Sequence, residues 1–118
     1  MYSVRLLDHF QTPRNVGELP EPSIVVQVEN PVCGDILRLS VNVSDGILTE
    51  IRYKTRGCTA SIAAGSALTE WLNAKSKADM ETFQPSIVED LLDGLPNESK
   101  HAALLCADAV KALALRMK

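Results

Sequence analysis

The sequence predicts an α+β domain, a three-stranded antiparallel sheet with helices packed on one face. Three observations carry that reading. Leu37, Leu39, Val41 and Val43 alternate with polar residues, and Ile47, Thr49, Ile51, Tyr53 and Thr55 alternate again after Asp45-Gly46. Alternation of this kind marks half-buried strands, and Asp-Gly is a strong tight-hairpin signal. After Cys58 the period changes: Ala60, Ala63, Ala64, Ala67, Leu68, Trp71 and Leu72 recur at i, i+3, i+4. Strands thus cluster early and helices late, a segregation typical of α+β architecture.

Taken in order, residues 2–10 read as a short helix with Val4, Leu7 and Phe10 on one face, stopped by Pro13. The stretch 11–23 holds Pro13, Gly17, Pro20 and Pro22 and reads as a long irregular connection. Residues 24–29 are β-rich and end at Asn30-Pro31. The helix after Cys58 opens with Ala, Ser and Gly, a surface that lets another backbone approach closely. Ser76 with Asp79, and Ser86 with Glu89, are capping-box patterns that predict two short helices. Gly94-Leu95-Pro96 ends the second, and Asn97 is the expected N-cap of a last helix over 98–117.

Size and composition narrow the classes. At 118 residues, against about 150 per domain, one domain over 1–118 is expected. Hydrophobic residues make up 46% and charged residues 23%, which excludes a disordered tail, a collagen-like repeat and a coiled-coil rod. Fifteen acids against twelve bases give a net charge of −3, so a nucleic-acid partner is not expected. No apolar run approaches the ~18 residues of a membrane span, so no membrane partner is expected. Residues 1–10 contain no apolar signal-peptide core, and an odd count of three cysteines does not suggest a disulfide framework. Together these predict a cytoplasmic protein.

Chemistry concentrates at two glycine-flanked cysteines. Asn30-Pro31-Val32-Cys33-Gly34-Asp35 lies between two predicted strands and presents a thiol with a carboxylate two residues on. The plain alternative is an incidental thiol in a turn. Arg56-Gly57-Cys58-Thr59 places Cys58 at a helix N-terminus, where the dipole and nearby Lys54 or Arg56 favour a thiolate. Its alternative is a small hydrophobe under the helix start. His101, Asp108, Lys111 and Lys118 fall along the polar stripe of the last helix, so His101 does not face the core and its imidazole is free to ligate metal, or is an ordinary exposed histidine. Cys106 projects about 140° away among Ala102, Ala109, Val110 and Leu113 and is expected in the core. His9 reads as a surface or capping residue. Cys33, Asp35, Cys58 and His101 form a discontinuous four-donor set, whose sulfur ligands favour zinc or iron–sulfur over magnesium or calcium.

These motifs resemble the U-type iron–sulfur cluster assembly scaffolds, the IscU and NifU N-terminal family. The resemblance rests on Asp8-His9-Phe10 with Pro13-Arg14-Asn15-Val16-Gly17, then on the Cys33 and Cys58 motifs. It continues through Ser66-Ala67-Leu68-Thr69-Glu70-Trp71, Leu95-Pro96, His101 and Ala107-Asp108-Ala109. It implies the same sheet-and-helix fold and a scaffold, not an enzyme. Such a scaffold takes sulfur from a cysteine desulfurase and passes a 2Fe–2S cluster to acceptor apo-proteins. Cys33 and Cys58 match two ligand cysteines of the family, Asp35 the aspartate beside the first, and His101 the histidine beside the third.

The chain departs from the family in two places. Ala102 stands where the third cysteine is usual, and Cys106 lies one turn further along, about 40° away in phase but ~6 Å along the axis. The chaperone-recognition stretch is altered to Leu95-Pro96-Asn97-Glu98-Ser99, which weakens the case for an Hsp70-type partner. Three readings follow: a cluster scaffold or carrier, a zinc-binding regulatory or interaction protein of the same fold, and last a sulfur transferase with Cys58 as nucleophile. A homo-oligomer is compatible with all three.

Overall fold

Both alternating segments become strands of one sheet. In the computed structural model, which describes residues 1–117, β1 (Ile24–Glu29), β2 (Ile36–Ser44) and β3 (Ile47–Arg56) pair antiparallel in the order β1-β2-β3. Val26 faces Leu39 across the first pair, and Leu39 faces Tyr53 across the second. Asp45 and Gly46 at the β2–β3 turn both have positive φ, 53° and 77°, as a type I′ hairpin requires. Leu37, Leu39, Val41, Ile51 and Tyr53 turn one face of the sheet into the core.

Helices α1 (Val4–Gln11), α2 (Thr59–Leu72), α3 (Lys77–Glu81), α4 (Pro85–Leu91) and α5 (His101–Arg116) complete the domain, with a 3-10 turn at Asn97–Ser99. α2 packs on β3, and α5 packs on β1 and β2. The small residues of α2 allow the close approach expected of them. A Cβ at Gly65 would lie 2.5 Å from the Tyr53 ring, so only glycine lets this helix sit so near the sheet. The α+β prediction therefore holds in class, strand order and helix placement. None of the described helices is long and apolar enough to cross a membrane.

Several local expectations need correction. α1 docks through Leu6 and His9, not through the Val4, Leu7 and Phe10 stripe, and Val4 is 85% exposed. His9 is buried, not a surface residue. Its Nδ1 lies 2.8 Å from Ser66 Oγ, which also accepts the Arg14 N–H. Ser66 therefore has its single proton free for His9 Nδ1. Burial first, and then the Arg14 charge, hold the His9 pKa below its ordinary value. The stretch 12–23 is irregular as expected and touches the sheet at one isolated bridge, where Gly17 N–H donates to the Tyr53 carbonyl and Tyr53 N–H to the Asn15 carbonyl, both at 2.9 Å.

The helix starts also differ. Ser76 forms the capping box with Asp79 as predicted. α4 instead begins at Pro85, whose fixed φ and missing N–H suit a first helical position, with Gln84 before it and no capping side chain. Ser86 is thus inside the helix. Asn97 opens the 3-10 turn rather than capping α5, which starts at His101 after Lys100. Lys118, assigned to the polar stripe of the last helix, lies outside the described residues.

Candidate metal centre

Three separate segments build the site. The β1–β2 connection is a tight turn: Gly34 N–H donates to the Asn30 carbonyl at 2.7 Å, and Val32 N–H donates to Asn30 Oδ1 at 2.9 Å. Gly34 takes φ +77°, a region costly for residues with a Cβ. The turn leaves Cys33 exposed at its tip and swings Asp35 inward, to 7% exposure. Cys58 is the N-cap of α2, at the β3–α2 junction, and is exposed. His101 is the first residue of α5 and is half-buried.

The donors converge on the imidazole. His101 Nε2 lies 3.2 Å from Asp35 Oδ2 and 3.7 Å from Cys58 Sγ. Cys33, Asp35 and His101 each offer one ligand atom, all within 4.8 Å of one another. Cys33, Asp35 and His101 thus come together as the sequence predicted, whereas Cys58 approaches this group at His101 and is not among the donors that all lie within that distance of one another. Cys106 stays apart: it is buried at 1% exposure, and burial pushes its thiol up to about 12. Ala102, one turn before it, is buried as well.

The electrostatics suit metal capture. Burial would raise the Cys58 pKa, but the Ser61 hydroxyl, the Ser61 amide, His101 and the Ala60 amide outweigh it and leave the pKa lowered. The thiolate is therefore favoured by the first turn of α2, as the sequence suggested, and by His101, with no contribution from Lys54 or Arg56. Burial disfavours the imidazolium of His101, yet Cys58 and Asp35 together raise its pKa. Protonated Nε2 bridges a carboxylate and a thiol; deprotonated, it is a ligand atom pointed at the same two donors. Sulfur, nitrogen and carboxylate donors fit zinc or iron with sulfide, not magnesium or calcium.

Two residues of the site were not picked out by sequence reasoning. Ser61 Oγ donates to Asp35 Oδ2 at 2.5 Å and lies 3.4 Å from Cys58 Sγ. A Cβ at Gly57 would fall 2.7 Å from Asp35 Cγ and 2.8 and 2.9 Å from its oxygens. The Ser61 signal was one helical turn: it follows Cys58 by three residues and so returns to the same side of α2. The Gly57 signal was not local, because the group that occupies its space comes from another segment.

Fold and side-chain geometry define a small α+β domain that brings the Cys33 thiol, the Asp35 carboxylate and the His101 imidazole together, with the Cys58 thiol beside that imidazole. The sequence matches the family model described as "NifU-like N terminal domain" over residues 1–117. The chain belongs to this NifU-like N-terminal family. It is 39% identical over 111 residues to "Iron-sulfur cluster assembly scaffold protein IscU 1" of Archaeoglobus fulgidus, covering 94% of this chain and 72% of that protein. It is 36% identical over 115 residues to "Iron-sulfur cluster assembly scaffold protein IscU" of Escherichia coli K12, covering 94% and 89%.

Among solved structures, a Fervidobacterium islandicum protein assigned to iron–sulfur cluster assembly for the SUF system superposes with a TM-score of 0.76 at 18% identity. The superposition covers 94% of each chain. The N-terminal part of a NifU-like protein from Brucella abortus superposes at 0.65 and 19% identity, over 97% of this chain and 80% of that one. At such identities these two likenesses concern the fold alone.

Proposed function

We propose that the protein is an iron–sulfur cluster assembly scaffold or carrier that holds iron and a labile 2Fe–2S cluster as cargo at Cys33, Asp35, Cys58 and His101. In this reading a cysteine desulfurase supplies sulfur and acceptor apo-proteins receive the cluster. The observation that carries the reading is the convergence of these four residues from three segments, the Cys33–Asp35–His101 donor atoms within 4.8 Å and Cys58 against the same imidazole.

The donor chemistry fits cargo that must leave. Two thiolates hold iron firmly, whereas a carboxylate is a harder and weaker partner for sulfur-bridged iron. His101 gives up its Nε2 proton to become a ligand, and a nitrogen donor in place of a thiolate raises the cluster potential. Cys33 and Cys58 are exposed, so sulfur can be delivered to either without unfolding the domain. The two homologues named as IscU scaffolds support the same assignment.

A zinc-binding regulatory or interaction protein is the second reading. The observation in its favour is Ala102, buried where the resemblance leads one to expect a third thiol. Two cysteines, one histidine and one aspartate also make a tetrahedral zinc site. Anaerobic reconstitution with ferrous iron and sulfide separates the two: visible charge-transfer absorption with bound iron and sulfide supports the scaffold, and zinc retention without either supports the alternative.

A further inference from the structure

Resting on that reading of the site, we propose that Ser61 is a positioning residue for its metal or cluster, acting through Asp35. Asp35 is the one buried donor of the four, and its side chain has two partners among the described residues. Ser61 Oγ donates to Oδ2 at 2.5 Å, and His101 Nε2 lies 3.2 Å from the same oxygen. Behind the carboxylate, Gly57 gives no side chain to lean on, only a backbone surface close enough that any Cβ would collide with it. Ser61 is itself 3% exposed, so its hydroxyl has no ready exchange with solvent.

The hydroxyl has one proton and two neighbours, and the shorter contact decides which it serves. At 2.5 Å the carboxylate is its main acceptor, and the 3.4 Å contact with Cys58 Sγ is the weaker of the two. Binding changes the account for His101 but not for Ser61. Once His101 Nε2 is a ligand it carries no proton, so it can no longer donate to Asp35. Ser61 is then the only one of the two partners still able to hold the carboxylate. Groups that fix a ligand from behind in this way matter to affinity nearly as much as the ligands.

Zinc serves as the probe, with affinity measured by competition against a chromophoric chelator. Four proteins are compared: wild type, Ser61→Ala, Asp35→Ala and the double variant. Ser61→Ala should keep the helical circular dichroism, since alanine is the better helix former. It should weaken zinc binding by ~10–100-fold, the usual effect of losing such a partner. In the Asp35→Ala background the same substitution should change affinity by no more than roughly twofold, because its target is gone. The visible spectrum of the Co²⁺ protein should shift in Ser61→Ala, and should be the same for Asp35→Ala with or without Ser61.

Wild-type affinity in Ser61→Ala, while Asp35→Ala is weakened, overturns the role of Ser61 and leaves the donor set standing. An undiminished Ser61→Ala effect in the Asp35→Ala background overturns it too, because Ser61 would then act elsewhere. Wild-type affinity in Asp35→Ala removes Asp35 from the donor set, and the proposal falls with that reading.

Discussion

Substituting Gly57 by alanine tests how tightly the Asp35 carboxylate is packed. Gly57 does not have a left-handed φ, so alanine suits its backbone and the constraint is one of space. The new Cβ would sit 2.7 Å from Asp35 Cγ. An ordinary contact is ~3.5 Å or more, so the carboxylate must retreat by about 1 Å. That retreat stretches its bond to Ser61 or its contact with His101. Overpacking of this kind costs about 1–3 kcal/mol, slightly offset by ~0.4–1 kcal/mol from a less flexible unfolded chain.

The assay is urea unfolding followed by far-UV circular dichroism, on Gly57→Ala alone and combined with Asp35→Ala. The single variant should be destabilised by about 1–2 kcal/mol. In the Asp35→Ala background the carboxylate is absent, and the same substitution should cost less than ~0.5 kcal/mol or become stabilising. Equal costs in both backgrounds would refute the reasoning, because the added methyl group would then be colliding with something other than Asp35.

Two further outcomes are expected. Cys106→Ala should cost only about 1 kcal/mol and leave zinc stoichiometry unchanged, and Cys106 should alkylate far more slowly than Cys58, since its thiol is buried; loss of metal with the fold intact would place it in the donor set instead. Zinc affinity should rise with pH through and above 6.5, because protons compete for a histidine whose pKa is raised. The metal-free protein behaves oppositely: the stabilisation from imidazolium beside Asp35 and Cys58 is full below 6.5 and is lost as pH rises through the raised value. His101→Gln should flatten the stability dependence and make the zinc dependence shallower, the thiols still competing with protons, and an unchanged zinc pH dependence in His101→Gln would contradict the assignment of His101.

The sheet was legible because Leu37, Leu39 and Val41 on its core face alternate with the polar Arg38, Ser40 and Asn42 on the other, so the alternation reports their burial. The candidate site was legible for a different reason. Glycines beside Cys33 and Cys58 mark backbone turns, and turns present side chains. What the sequence hid was set by partners far along the chain. α1 has apolar residues at Val4, Leu7 and Phe10, yet it buries His9, because Ser66 on α2 supplies the hydrogen bond that makes an imidazole tolerable there. Pro85 overrode the capping pattern at Ser86 because a proline at the first helical position fixes φ one residue earlier. What stayed hidden was that Ser61 and Gly57 both close on Asp35, because that partner is more than twenty positions away.

The central claim is that Cys33 and Cys58 hold one cluster together with Asp35 and His101. Its most direct test is the iron and acid-labile sulfide bound after anaerobic reconstitution of wild type, Cys33→Ser and Cys58→Ser, each checked for fold by circular dichroism. The account predicts iron and sulfide in equal amounts with visible charge-transfer absorption in wild type, and loss of both in each variant. Wild-type loading in either folded variant, or a wild-type protein that binds zinc but no sulfide, would contradict it.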